Sequence, residues 1–273
     1  MGRSSVGTVG TPRRDLVQDA AFAVAMCVAI VGMYTLVFFF FRFMLRFSLS
    51  ESVLAALAAS APAAPFMGPA ILGDLLGKAS AVSIAIASLV INLVVVPVTI
   101  FGLALGKTPI ASTARPTARN SGWSEKLRET VKEPIVWAPL LAFVLVLCGV
   151  NVPQLLGHGL SLLSQASGGV AMFASGIMLA AYKIKVDWIV SLLVLLKNVV
   201  QPALVLGGLL WLGYGPTVPE AVLTTAIPTM PIVVVLAVQY QVSEAHASSA
   251  LFLSVVGSIV TMGIFIALTR EVT

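Results

Sequence analysis

The sequence predicts an all-α, polytopic membrane protein of about eight transmembrane helices, built as an inverted repeat with two broken helices. Three observations carry this expectation. Of the 273 residues, 59% are hydrophobic and only 10% charged, against about 25% charged in a soluble domain. So few ionic groups cannot cover a water-facing surface. The ionic residues that do occur bracket uncharged runs of membrane-crossing length. Two of those runs carry the same mid-span motif, x-x-Pro-x-x-Pro.

Composition also excludes function classes. The net charge of +5 sits in loops between apolar runs, which reads as membrane orientation and excludes a nucleic-acid partner. Cys27 and Cys148 fall inside apolar runs, with no CxxC or Cys/His spacing around them. They read as small packing residues, and neither a metal nor a cofactor is implied.

Taken in order, residues 1–19 are polar and read as a disordered tail. The run 20–41 has the roughly 20 residues that cross about 30 Å of hydrocarbon. It ends Phe38-Phe39-Phe40-Phe41-Arg42 with no small-residue cleavage site, so it reads as a retained helix rather than a signal peptide. Runs 52–77 and 79–105 follow, and 20–105 forms a first core of three spans. The stretch 106–133 holds Lys107, Arg115, Arg119, Lys126, Arg128 and Lys132 and reads as the linker between halves. Residues 134–182 contain no Asp, Glu, Lys or Arg. Breaks at Asn151-Val152-Pro153 and Gly157-His158-Gly159 divide them into a pair of spans, 134–150 and 160–182. Runs 188–212, 221–240 and 245–269 make a second core within 183–273. Under strict alternation Arg42, Arg46, the linker and Lys183 with Lys185 share one side of the membrane. The basic-residue bias makes that side cytoplasmic.

The two interrupted spans correspond. Glu51-Ser52-Val53-Leu54 matches Glu220-Ala221-Val222-Leu223, and Ser60-Ala61-Pro62-Ala63-Ala64-Pro65 matches Ala226-Ile227-Pro228-Thr229-Met230-Pro231. A long apolar run precedes and follows each. Proline within a helix removes a backbone hydrogen bond and clashes with the preceding turn, at a cost of about 3 kcal/mol. In a bilayer such a break persists only where it lines a cavity or is buried in protein. Paired breaks at matching places point to a transporter site, the alternative being structural kinks. Five spans separate the start of the first unit from that of the second, so the units face opposite ways.

The candidate substrate site is therefore Ser60, Pro62, Ala63, Pro65 and Gly68 from one break, with Pro228, Thr229 and Pro231 from the other. Pro65 or Pro69, and Pro231, suit the first turn of a resumed half-helix. Each half-helix N-terminus carries about half a positive charge, and two together make an anion site. Ser60 and Thr229 either donate hydroxyls to a ligand or bond back to the preceding turn. Lys197 lies in the interior of a span, where a charge is functional by default. Asn198 adjoins it, and Gln201 shares its face at i, i+4. Lys197 reads as part of a polar network supporting the two breaks, with direct substrate contact and snorkelling as alternatives. Asn92 is a similar, weaker candidate. His158, His246, Glu51, Glu220 and Glu244 stand at span edges and read as interfacial or helix-start residues.

The chain resembles the auxin efflux carrier family over roughly 20–270. The resemblance rests on Ala61-Pro62-Ala63-Ala64-Pro65-Phe66-Met67-Gly68-Pro69, Lys132-Glu133-Pro134-Ile135, Phe173-Ala174-Ser175-Gly176-Ile177-Met178-Leu179-Ala180, Leu195-Leu196-Lys197-Asn198 with Pro202, and Pro228-Thr229-Met230-Pro231. The first of these looks most like the malonate-type bacterial branch. The resemblance implies ten spans in two inverted repeats, two broken helices that cross, a scaffold role for the pair within 134–182, a fold similar to bile-acid sodium symporters, and a bacterial-type inner membrane location. Against that pattern the chain lacks the first two helices. A misplaced start codon, a truncated gene or a short variant that forms a homodimer would each explain this. Many relatives carry Asn after the first crossover proline, where this chain has Ala63.

The expected function is secondary transport of a small organic anion, such as the dicarboxylate malonate, by alternating access, with a coupling proton or sodium ion. The alternative is an inactive or accessory remnant. An intramembrane protease is disfavoured. Asp74 is the lone carboxylate within a span, and both histidines stand at edges.

Overall fold

A computed structural model describes residues 12–77, 80–106, 137, 141, 144, 145, 148, 153–181, 184–213 and 217–270. Among these residues the chain is an all-α polytopic membrane protein. Four helical segments are long and apolar enough to cross a bilayer: Phe22–Met44, Ser80–Gly106, Trp188–Trp211 and Glu244–Arg270. At 1.5 Å per residue, spans of this length reach about 35–40 Å.

The helices, in chain order, begin with α1 (Pro12–Phe39), α2 (Leu49–Ser60), α3 (Ala64–Leu76), α4 (Ser80–Val90) and α5 (Val96–Gly106). They continue with α6 (Gln154–Ala181), α7 (Trp188–Leu195), α8 (Gln201–Trp211), α9 (Val218–Ala226), α10 (Ile232–Tyr240) and α11 (Glu244–Arg270). A π-helical segment, Phe40–Met44, extends α1. Two more join α4 to α5 (Ile91–Val95) and α7 to α8 (Leu196–Val200). Each of these last two ends two residues before a proline, Pro97 or Pro202. Proline has no N–H for the carbonyl one turn back, and a local widening to i→i+5 bonding accommodates the loss.

Several boundaries differ from the sequence expectation. The stretch 1–19, expected to be a disordered tail, is helical from Pro12 onward, while 1–11 lie outside the described residues. Proline is at home in a first turn, and intrahelical bonding satisfies the backbone of the polar residues that follow. The helix expected over 160–182 already begins at Gln154 and runs through Gly157-His158-Gly159. A helical glycine costs only about 1 kcal/mol relative to alanine, too little to break a long apolar helix. Pro69 lies inside α3 rather than at its start. The linker expected over 106–133 lies outside the described residues except for Gly106, as does most of the span expected over 134–150.

The core forms around the two interrupted spans. In α2, residues from Ser52 to Ser60 are all buried, as are those of α9 from Ala221 to Ala226. Helix α1 packs on α2 and α4, α5 on α2, and α11 on α9, α7 and α10. A capping box starts α2: the Ser48 hydroxyl accepts from the Glu51 amide while the Glu51 carboxylate accepts from the Ser48 amide. Small residues let helices approach closely. A Cβ built on Gly102 of α5 would lie 2.7 Å from Cγ1 of Val53 on α2. Gly102→Ala is therefore expected to destabilise by about 1–3 kcal/mol through overpacking. Thermal unfolding of the purified protein in detergent checks this, and adding Val53→Ala should recover much of the loss.

Candidate functional site

Helices α2 and α9 both stop mid-span, and the chain resumes as α3 and α10 after short extended segments. At Pro62 and Thr229 those segments meet as an antiparallel bridge. The Ala63 amide donates to the Pro228 carbonyl at 2.8 Å, and the Met230 amide donates to the Ala61 carbonyl at 3.0 Å. Pro62 and Pro228 have no N–H to offer, so the pairing uses the amides beside them. The broken helices expected from the paired proline motifs are thus present, and they cross.

Each break strands carbonyls at the C-terminus of a half-helix, and in a buried setting these need partners. The side chains of α8 and of the π-helical segment before it supply two. The Lys197 ammonium donates to the Thr225 carbonyl of α9 at 2.7 Å and to Gln201 Oε1 at 2.8 Å. Gln201 Nε2 donates to the Ser60 carbonyl, the last of α2, at 2.8 Å. The Thr229 hydroxyl donates to the Ala58 carbonyl at 2.9 Å. The Thr229 amide donates to Ser254 Oγ on α11 at 3.0 Å. Ser254 Oγ donates to Asn198 Oδ1, and Asn198 Nδ2 donates to the Ser254 carbonyl, both at 2.7 Å. Lys197, Asn198 and Gln201 are all buried.

Charge balance explains why one lysine suffices. Each helix C-terminus carries about half a negative charge, so the converging ends of α2 and α9 sum to roughly one. A single ammonium with a glutamine as its extension answers both. The N-termini of α3 and α10 carry the opposite sign on the other side of each break. Pro65 occupies the first turn of α3, and Pro231 is the residue before α10.

The remaining sequence candidates divide. The Ser60 hydroxyl bonds back to the Ala56 carbonyl at 2.7 Å, and the Thr229 hydroxyl proton is committed as described. In this conformation neither is spare for a ligand. Gly68 is buried where a Cβ would meet Ile84 Cγ1 of α4 at 2.9 Å, a packing role. Asn92 bonds back to the Ser88 carbonyl of its own helix at 2.9 Å and stays apart from the Lys197 network. Sequence reading missed Ser254, one serine among many on an apolar helix. It also missed Asp187 as a site residue, although an aspartate just before an apolar run is a helix-start signal. Asp187 accepts from the Val190 amide at 2.9 Å and lies 2.8 Å from His246 Nε2.

The crossover itself is closed: Ala61 and Ala63 have no exposed surface and Thr229 only 2%. Two cavities approach it. One of about 310 Å³ lies between α1 and α8, with Gly32, Met33 and Gln201 in its wall. One of about 100 Å³ lies among α2, α7, α10 and α11, with Glu51, Ala58, Val233 and His246 in its wall.

Comparison with known proteins bears on this geometry. A family model described as membrane transport protein matches residues 7–266. A protein of Escherichia coli K12 named "Uncharacterized transporter YfdV" is 34% identical over 156 residues, which is 57% of this chain and 49% of the relative. Proteins of the same name from Escherichia coli O157:H7 and Shigella flexneri match to the same extent. The matched region thus spans about half the length of these curated relatives.

Lys197→Met removes the charge and leaves the Thr225 carbonyl and Gln201 Oε1 without this donor. Two buried acceptors lose their donor, and a loss of about 1–3 kcal/mol is expected for each. Thr229→Val, which frees only the Ala58 carbonyl, should cost about 1 kcal/mol. Denaturation midpoints of the two variants in one detergent check the ranking.

Proposed function

Because the chain belongs to the membrane transport protein family, the auxin efflux carriers, we propose that it is a secondary transporter of a small organic anion. The substrate class is a dicarboxylate of malonate size. The two units, within 20–105 and 183–273, act as inverted repeats, and 134–182 serves as scaffold. The linker 106–133 faces the cytoplasm of a bacterial-type inner membrane.

The observation that carries this reading is the crossover. Lys197 and Gln201 neutralise the C-terminal ends of α2 and α9. The positive ends of α3 and α10 are the anion-facing side of each break. An anion bound between them needs no ionic side chain, because the peptide dipoles supply the charge. The candidate residues around that position are Pro62, Ala63, Pro65, Pro228, Thr229 and Pro231. All of these but Pro65 are buried, which makes the present conformation occluded. Alternating access opens the crossover to one cavity and then to the other, as expected for midplane sites at broken helices.

Direction and coupling follow from charge. An inside-negative potential of 100 mV opposes each entering negative charge by about 2.3 kcal/mol, and a dianion by twice that. Uptake therefore requires a coupling proton or sodium ion. The purified chain, reconstituted in liposomes, is expected to accumulate radiolabelled malonate under an inward proton or sodium gradient. Under an inside-negative potential alone it should not. Ala63→Leu, which fills the crossover, should lower uptake at least about tenfold, the factor that follows from an added 1.4 kcal/mol of barrier. Uptake no greater than in empty liposomes under every gradient and orientation would refute the reading.

A further inference from the structure

Away from the crossover, one end of the bundle holds a group of titratable side chains that the anion site does not use. Asp187 stands before α7 and caps it through the Val190 amide. Its second carboxylate oxygen lies 2.8 Å from His246 Nε2, in the first turn of α11. The pair thus ties the start of α7 to the start of α11. Alongside it runs the 100 Å³ cavity, with His246, Glu51 and Ser243 in its wall and Ala58 and Val233 deeper in. Glu51 and Ala58 lie seven residues apart on α2, a separation of about 10 Å along the helix axis. The Ala58 carbonyl is the one held by Thr229. The cavity therefore leads from the ionisable rim to the crossover, and it has room for several waters.

We propose that the Asp187–His246 pair is a proton-binding site that governs access from this end of the bundle to the crossover. The inference rests on the transporter reading. With His246 protonated, the ion pair holds the starts of α7 and α11 together and keeps the cavity narrow. With His246 neutral, the attraction falls to a hydrogen bond from an uncharged imidazole to the carboxylate, and the first turn of α11 is freer to part from α7.

The surroundings of Asp187 keep its carboxyl charged. Burial raises the Asp187 carboxyl, but the Val190 amide and His246 outweigh it and hold the carboxyl below its ordinary value. Asp187 is thus a carboxylate through the range, about pH 5 to 8, where histidine side chains change charge. Other groups at this end are Glu51 on α2, where Oε1 accepts weakly from Ser243 Oγ at 3.5 Å, and Glu244 in the first turn of α11. Arg42, whose guanidinium donates to the Phe47 carbonyl, and Arg46 lie between α1 and α2, and Lys185 just before α7. Both members of the pair are about one-third exposed, so the latch is weak and readily reversed.

The test uses the full chain in liposomes, with Cys27 and Cys148 replaced by serine and Ala55→Cys placed in the cavity wall. Labelling by a membrane-impermeant thiol reagent is measured from about pH 5.5 to about pH 8. Dividing by the rate at Val186→Cys, which is exposed at the same end, cancels the chemistry of the thiol. The normalised rate should rise about two- to fivefold with pH, the range set by a partly exposed ion pair. His246→Gln and Asp187→Asn should abolish the pH dependence, and asparagine still caps α7. Ser243→Cys at the rim is a second reporter should Ala55→Cys fail to fold. A flat ratio in the parent, or an unchanged pH dependence in His246→Gln, overturns the proposal. Malonate uptake is measured on the same vesicles. Uptake with a flat labelling ratio removes the latch alone, and pH-dependent labelling without uptake removes the transport reading alone.

Discussion

Everything in this protein depends on how two broken helices end inside a membrane. A helix that stops in mid-span exposes carbonyls that water would satisfy in a soluble protein. Here water is excluded and protein groups must serve. Lys197, Gln201 and Thr229 take the carbonyls of Thr225, Ser60 and Ala58, and the two extended segments pair with each other across Pro62 and Thr229. The crossover exists because each break satisfies the other.

The same arrangement separates charge. The negative end of α9 is held by Lys197 of the π-helical segment before α8 and that of α2 by Gln201 of α8, while the positive ends of α3 and α10 begin the continuation of each break. Asn198 and Ser254 tie the π-helical segment to α11, so the network joins α2, α8, α9 and α11 into one mechanical unit.

The ionisable groups outside that unit gather where helices begin. Glu51 belongs to a capping box and Asp187 caps α7. Their first duty is to satisfy backbone amides, and the bond from Asp187 to His246 is laid over it. A proton-sensitive contact placed on a cap costs the fold little, because the carboxylate is already held by the helix it starts.

The sequence by itself determined the fold class and the position of both breaks. Hydrophobic length and charge-free runs are local properties, and a proline's missing N–H has the same consequence in any tertiary setting. It also singled out Lys197, because a charge within hydrocarbon must have a partner. It did not identify the partners. Asn92 and Lys197 each sit second in a π-helical segment that ends two residues before a proline, and the two looked alike in kind. Yet Asn92 turns back to Ser88 while Lys197 reaches 28 residues along the chain to Thr225. Which of two such side chains meets a stranded carbonyl is settled by which helix lies opposite. The same holds for Asp187 and His246, 59 residues apart. Contacts of this separation depend on how helices pack, and no local pattern of residues encodes that packing.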